Sequence, residues 1–203
     1  QSISGLGEKK SEAAPAAVIQ PNVNRVVALV TGGGSGIGRA VAVRLAKGGW
    51  GGADGRGSNS PEIRHGKHFL GKTLRVGLVL AGRRSEPLEA TKKMCEESSD
   101  VAIDIIAVPT DVTKEDDVQN LMNAVNTHFG RLDLLFNNAG INIAPASVES
   151  IDSDDFQRVI DTNVTACWRM AKRAMQIMAK QSPQGGRIIN NGSISAFSPL
   201  LKM

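Results

Sequence analysis

The residues Thr31-Gly32-Gly33-Gly34-Ser35-Gly36-Ile37-Gly38 lie between an unbroken apolar run, Val26 to Thr31, and a stretch where Ile37, Ala40, Val41 and Leu45 recur at helical spacing. Glycines at 32, 36 and 38 permit a tight turn, close backbone approach to an anion and close packing of the helix. The helix amino terminus adds unpaired amides and the positive end of its dipole. Between a strand and a helix, this pattern predicts a cradle for the pyrophosphate of a dinucleotide rather than a bare structural turn. A rival is the literal ATP-loop pattern GxxxxGK[ST] over Gly66-Lys67-His68-Phe69-Leu70-Gly71-Lys72-Thr73. It follows Ser60-Pro61-Glu62-Ile63 instead of a strand and runs into a strand instead of opening a helix, so its amides would not converge on a phosphate. His65 and His68 have no carboxylate or thiol nearby to complete a shell, so they are read as exposed loop histidines and no metal is expected.

Positioning the glycine-rich turn requires a strand buried on both faces, and the rest of the chain repeats that arrangement. Apolar strand patterns at Val26–Thr31, Val76–Ala81, Val101–Pro109, Leu132–Phe136 and Arg187–Asn191 alternate with helical ones, which predicts an α/β fold with a doubly wound parallel sheet in three layers, incomplete at its carboxyl-terminal edge. Helices are expected after the first strand, from Glu86 to Ser99, from a capping box at Thr113 and Asp116 to Phe129, and from a cap at Ser153 to about Lys180. Residues 1–24 read as a mobile leader, 25–203 as one domain, 51–74 as an irregular insertion and 197–203 as a divergent tail.

Composition narrows the function class. The net charge of +4 and pI near 9.3 suit a nucleic-acid partner, but Lys and Arg are scattered and aromatics make up 3%, so a base-stacking surface is poorly supplied and no nucleic-acid partner is expected. Cys95 and Cys167 lack any ligand or bridge spacing and read as reduced, structural thiols. The glycosylation-type triplets at Asn163 and Asn191 are expected inside regular elements and are discounted. No membrane span or signal-peptide core is evident, so a soluble cytoplasmic protein is expected, with an organelle as the alternative compartment.

Cofactor choice turns on the end of the second strand. An NAD site wants an acid there for the ribose hydroxyls, whereas Gly82-Arg83-Arg84 would attract the extra phosphate of NADP, with Arg83 the binding residue and Arg84 a solvated charge. On the long helix, Asn163 lies on a stripe of Val159, Ile160, Ala166, Cys167 and Met170, where an amide must find buried partners; a structural hydrogen bond is one reading.

The GxxxGxG spacing, with Thr31 in front, resembles the short-chain dehydrogenase/reductase family of Rossmann-fold proteins, and the resemblance runs from residue 25 to about 196 apart from the insertion. Asp111-Val112 looks like the family's adenine-contacting pair. Asn137-Asn138-Ala139-Gly140 matches its NNAG motif, so Asn138, Ala139 and Gly140 join Thr31, Gly32, Ser35, Gly36, Ile37, Gly38 and Arg83 as expected cofactor contacts. Ser193 aligns with the catalytic serine, and Asn163 with an asparagine that positions a water in proton relay. The resemblance implies NADP-dependent hydride transfer between nicotinamide and a small-molecule carbonyl or alcohol, in a homo-oligomer.

The family also uses a tyrosine and a lysine in a YxxxK frame, in which the cation brings a phenol that titrates near pH ~10 toward usefulness. This sequence has no tyrosine, and Lys202 stands in no such frame. The chain is therefore expected to be a fragment or aberrant product of a complete reductase, with its fifth strand a bare edge, low stability and the acid/base half of the chemistry absent. The alternatives are a catalytically silent NADP-binding or interaction protein and, third, a P-loop nucleotidase.

Overall fold

The computed structural model describes residues 25–48, 68–69, 72–73, 75–100, 102–143 and 148–194. Its elements run in chain order as β1 (Arg25–Thr31), α1 (Gly36–Ala46), β2 (His68–Phe69), β3 (Lys72–Thr73), β4 (Arg75–Gly82), α2 (Ser85–Ser98), β5 (Asp104–Pro109), α3 (Glu115–Phe129), β6 (Leu134–Asn137), α4 (Ser153–Ile160), a wide π turn (Asp161–Thr165), α5 (Ala166–Met178) and β7 (Arg187–Asn190). Five strands form one sheet in the order β5-β4-β1-β6-β7, and all neighbouring pairs are parallel. The expected Rossmann-like α/β fold is present.

The central strand explains the apolar run. With side chains alternating across a strand, Val27 and Leu29 enter a core with Val118, Leu121 and Val125 of α3 and Met170 of α5, while Ala28 and Val30 enter a second core with Ala42 and Leu45 of α1 and Leu88 of α2. Both faces of β1 are thus covered, and each fully buried Val or Leu contributes roughly 1.5–3 kcal/mol. The chain lays β4 and β5 on one side of β1 and then crosses to lay β6 and β7 on the other. Strand order reverses between β1 and β6, and a crevice opens there at the carboxyl ends.

Several expected details differ. The helix opening at α3 is not a capping box: the cap position is Lys114, which supplies no side-chain bond, and Thr113 instead donates to Asp111. Asp152, not Ser153, caps α4, its Oδ1 accepting from the Asp154 amide at 2.8 Å. The long helix is broken at Asp161–Thr165 and its second part ends at Met178. Part of the expected irregular insertion forms the antiparallel pair β2–β3, which includes Lys72 and Thr73 of the ATP-loop pattern in a strand rather than at a helix start. Asn191 lies past the end of β7 and outside the regular element expected for it. The leader, the tail, Val101 and His65 lie outside the described residues. Among the described residues, no helix is long and apolar enough to cross a membrane.

Candidate functional site

The glycine-rich turn leaves β1 with Gly32 at φ +65° and Gly36 at φ +51°, conformations that side-chain-bearing residues adopt at a cost. A Cβ added at Gly38 would overlap the Gly32 carbonyl oxygen and stand 2.8 Å from the Asn138 amide nitrogen. Close packing of α1 against the turn therefore needs glycine at 38. The first bond of the helical ladder runs from the Arg39 amide to the Ser35 carbonyl at 3.1 Å, which leaves the preceding amides outside that ladder. Ser35 makes no side-chain cap, and the first turn of α1 has no acid, in contrast to Glu115, Asp116 and Asp117 on α3 and Asp154 and Asp155 on α4. Helices α2, α3 and α4 place the chain's own carboxylates at their positive ends, whereas the α1 end, which opens directly from the glycine-rich turn, is left able to take an external anion. These residues fit a dinucleotide pyrophosphate.

The turn forms one wall of a cleft of roughly 600 Å³. Facing it are Gly82 and Arg83 at the end of β4, Asp111 and Val112 after β5, and Ala139 and Gly140 after β6. The strand ends are held together by hydrogen bonds: Thr110 N donates to Gly82 O at 2.8 Å, and the Thr31 hydroxyl accepts from the amides of Asn138 and Ala139 at 2.8 and 2.9 Å. Asn138 donates through Nδ2 to Thr31 O and accepts from Asn191 Nδ2, both at 3.0 Å. Thr31 and Asn138, expected as cofactor contacts, thus join β1 to β6 beneath the site and stand outside its lining.

At the far wall, Asp111 Oδ1 accepts from the Thr113 amide and hydroxyl at 3.0 and 2.7 Å. Burial raises its carboxyl, but the Thr113 bonds and the charges of Lys114 and Arg83 outweigh that and leave it below its ordinary value. Arg83 and Asp111 line the same cleft. Arg84, expected only as a solvated charge, also lines the cleft. So does Arg158 of α4, which the sequence reading missed, because its i,i+3 pairing with Asp155 at 2.7 Å looks like an ordinary exposed helix pair.

Asn163 is exposed, not buried on an apolar stripe, because the π turn rotates it away from the core. Its amide bonds the Ile141 backbone twice, accepting from N and donating to O at 2.9 Å each, and so holds the segment after the NNAG motif. Ser193 lies exposed beyond β7, and Gly36 and Ile37 are also exposed. Neither Ser193 nor Asn163 lines the cleft. A smaller groove of about 280 Å³ between α3 and α5, bordered by Gly130 and Gln181, faces the amino edge of the sheet and plays no part in this site.

Comparison with known proteins agrees with this geometry. The family profile described as short chain dehydrogenase matches residues 67–203. An uncharacterized oxidoreductase of Bacillus subtilis (strain 168) is 34% identical over 177 residues, spanning 86% of this chain and 56% of that protein. The structure of NAD+-bound xylitol dehydrogenase superposes with a TM-score of 0.68 at 31% identity, over 88% of this chain and 56% of the other. L-sorbose reductase from Gluconobacter frateurii, complexed with NADPH and L-sorbose, gives 0.67 at 26% identity, over 87% and 56%. The chain spans about half the length of the relatives it matches.

Proposed function

Since the chain belongs to the short chain dehydrogenase family, an oxidoreductase family, we propose that residues 25–203 form one NADP-binding domain serving hydride transfer between the nicotinamide and a carbonyl or secondary alcohol. The observation that carries this reading is the α1 amino terminus, uncapped and free of acids, facing Arg83 across one cleft. The backbone at Gly32, Ser35, Gly36, Ile37 and Gly38 holds the pyrophosphate, and the Arg83 guanidinium takes the 2′-phosphate as a charge-assisted pair. Arg84 and Arg158 add positive potential on the same cleft. Asp111 and Val112 border the adenosine, and Ala139 and Gly140 the ribose beyond it. Solved relatives include both an NAD+ and an NADPH complex, so relatedness alone does not choose, and the preference for NADP rests on Arg83.

The bound dinucleotide would supply the hydride. Ser193, at the carboxyl end of β7, is the group proposed to donate a hydrogen bond to the substrate oxygen. Asn163 holds the Ile141 backbone and thereby the cleft rim, with a water in proton relay as its further proposed role. The site is proposed for small molecules, and the described residues contain no cluster suited to a metal.

Titration calorimetry with NADPH and NADH tests the reading. NADPH is expected to bind more tightly by a factor of about 10–100, and Arg83→Ser to erase that preference while leaving NADH affinity nearly unchanged. No heat with either nucleotide on folded protein would refute it. Binding without NADPH consumption over a panel of ketones would favour the second reading, a silent NADP-binding protein.

A further inference from the structure

We infer that Arg169 of α5, which does not itself border the cleft, is a positioning residue that fixes the adenosine wall from behind. Its Nη1 donates to the backbone carbonyls of Val112 and Thr113 at 3.0 and 3.2 Å. Its Nε donates to Glu115 Oε2 at 2.8 Å. Glu115, the first residue of α3, uses its other oxygen on Arg173, one turn further along α5, and this pair, followed by Arg169, holds its carboxyl below the ordinary value. The guanidinium is thus held by a carboxylate on one side and by two loop carbonyls on the other, with only 17% of its side chain exposed.

The loop needs an outside partner. Its internal bonds, from the Thr113 amide and hydroxyl to Asp111 Oδ1 and from the Lys114 amide to Asp111 O, close its inner side and leave the Val112 and Thr113 carbonyls directed at α5. The Val112 side chain is buried in the same core as Ala166 and Met170, the α5 neighbours of Arg169, so the loop is tied to α5 through its apolar side chain as well as its carbonyls. Charge-assisted bonds of this kind are about twice as strong as neutral ones, and a long side chain anchored at both ends loses little further freedom in making them. Without Arg169, two carbonyls lose their partner and the loop bordering the cleft can shift.

The inference rests on the cofactor reading above. It predicts a signature distinct from that of Arg83: the adenosine is common to NADPH and NADH, so a displaced loop weakens both alike. Calorimetry on the full chain, well below each variant's Tm, is expected to show Arg169→Met weakening NADPH and NADH by about tenfold each, with their ratio unchanged. Arg169→Lys, which keeps the charge but reaches one carbonyl, should recover part of the loss. Amide hydrogen exchange should accelerate at Thr113 and Lys114 while the interior of α5 stays protected. Unchanged affinity in the folded variant would overturn the inference, as would a loss confined to NADPH, which would mark Arg169 as a direct phosphate contact. If Arg169→Met does not fold, Glu115→Gln carries the same comparison: a smaller loss at constant ratio supports the clamp, and no loss overturns it. Failure of the unsubstituted chain to bind either nucleotide would appear before any variant is made and would overturn the cofactor reading together with this one.

Discussion

The two sides of the sheet are closed to very different degrees. Around β1 and β4, Val27, Leu29, Val30, Leu78, Val79 and Leu80 are all fully buried. At the opposite edge, β7 has Ile188 half-buried and Ile189 41% exposed, and the adjoining helices present Phe156, Val164, Trp168 and Met175 to solvent. The residues proposed to hold the phosphates, the glycine-rich turn and Arg83, belong to the closed side, with Arg158 of α4 lining the cleft from the other, whereas Ser193 and Asn163, the groups proposed for chemistry, stand on the open one. The proposed nucleotide site can therefore be preorganised by a rigid core, while the proposed substrate chemistry lies on the side whose apolar surface the described residues do not cover.

The strongest challenge to that division is Gly38→Ala. An added methyl group meets the Gly32 carbonyl and the Asn138 side chain, both fixed by the closed core, so it must displace α1 from the turn. NADPH affinity should fall by more than about 100-fold, read by calorimetry, together with a lower Tm. Near-normal binding would show that the turn is softer than its packing indicates. Next comes a pair of truncations read by urea denaturation. Leu80→Ala, in a fully buried site, should cost about 3 kcal/mol, and Ile189→Ala less than about 1 kcal/mol. Equal costs would mean that β7 is covered in solution by something outside the described residues.

How much of this was legible in the sequence follows the same division. The strands of the closed side announce themselves because burial on both faces demands an unbroken apolar run, and β1 and β4 emerged within a residue at each end. The glycine-rich turn was legible because glycine at 38 has a steric cause that no other side chain satisfies. Helix starts were less so: Thr113 and Ser153 carry cap-type side chains, but Asp111 captured the first and Asp152 preceded the second, choices made by geometry only a residue or two away. The π turn was hidden because the apolar stripe through Val159, Ile160 and Ala166 reads as continuous, and one widened turn moves Asn163 off the stripe without altering the pattern around it. Arg169 and Arg158 were missed for a shared reason. Their partners lie on other elements or their local pairing looks like an ordinary surface pair, and sequence spacing carries no signal for contacts between α5 and the loop after β5.

The smallest expected effect concerns the two thiols, one on each side. Cys95 of α2 is fully buried, and burial, assisted by the Glu96 charge, pushes its thiol up from 9.0 to about 11; Cys167 of α5 is half-buried and raised by burial as well. Because the folded protein keeps the Cys95 proton more tightly than the unfolded chain does, this group leaves stability independent of pH below about 9. Between about pH 9 and 11 the unfolded state ionises first, and stability falls by at most about 1.4 kcal/mol per pH unit. The chain has no tyrosine, so no phenol titrates in that window to mask the slope. Urea midpoints measured from pH 8 to 11 should show the decline in the parent and lose most of it in Cys95→Ala. At pH 8, iodoacetamide should modify Cys167 well before Cys95. Modification of Cys95 at a matching rate would mean that the core between α1 and α2 opens as readily as the surface near β7, and the contrast between the two sides would fail at its most buried point.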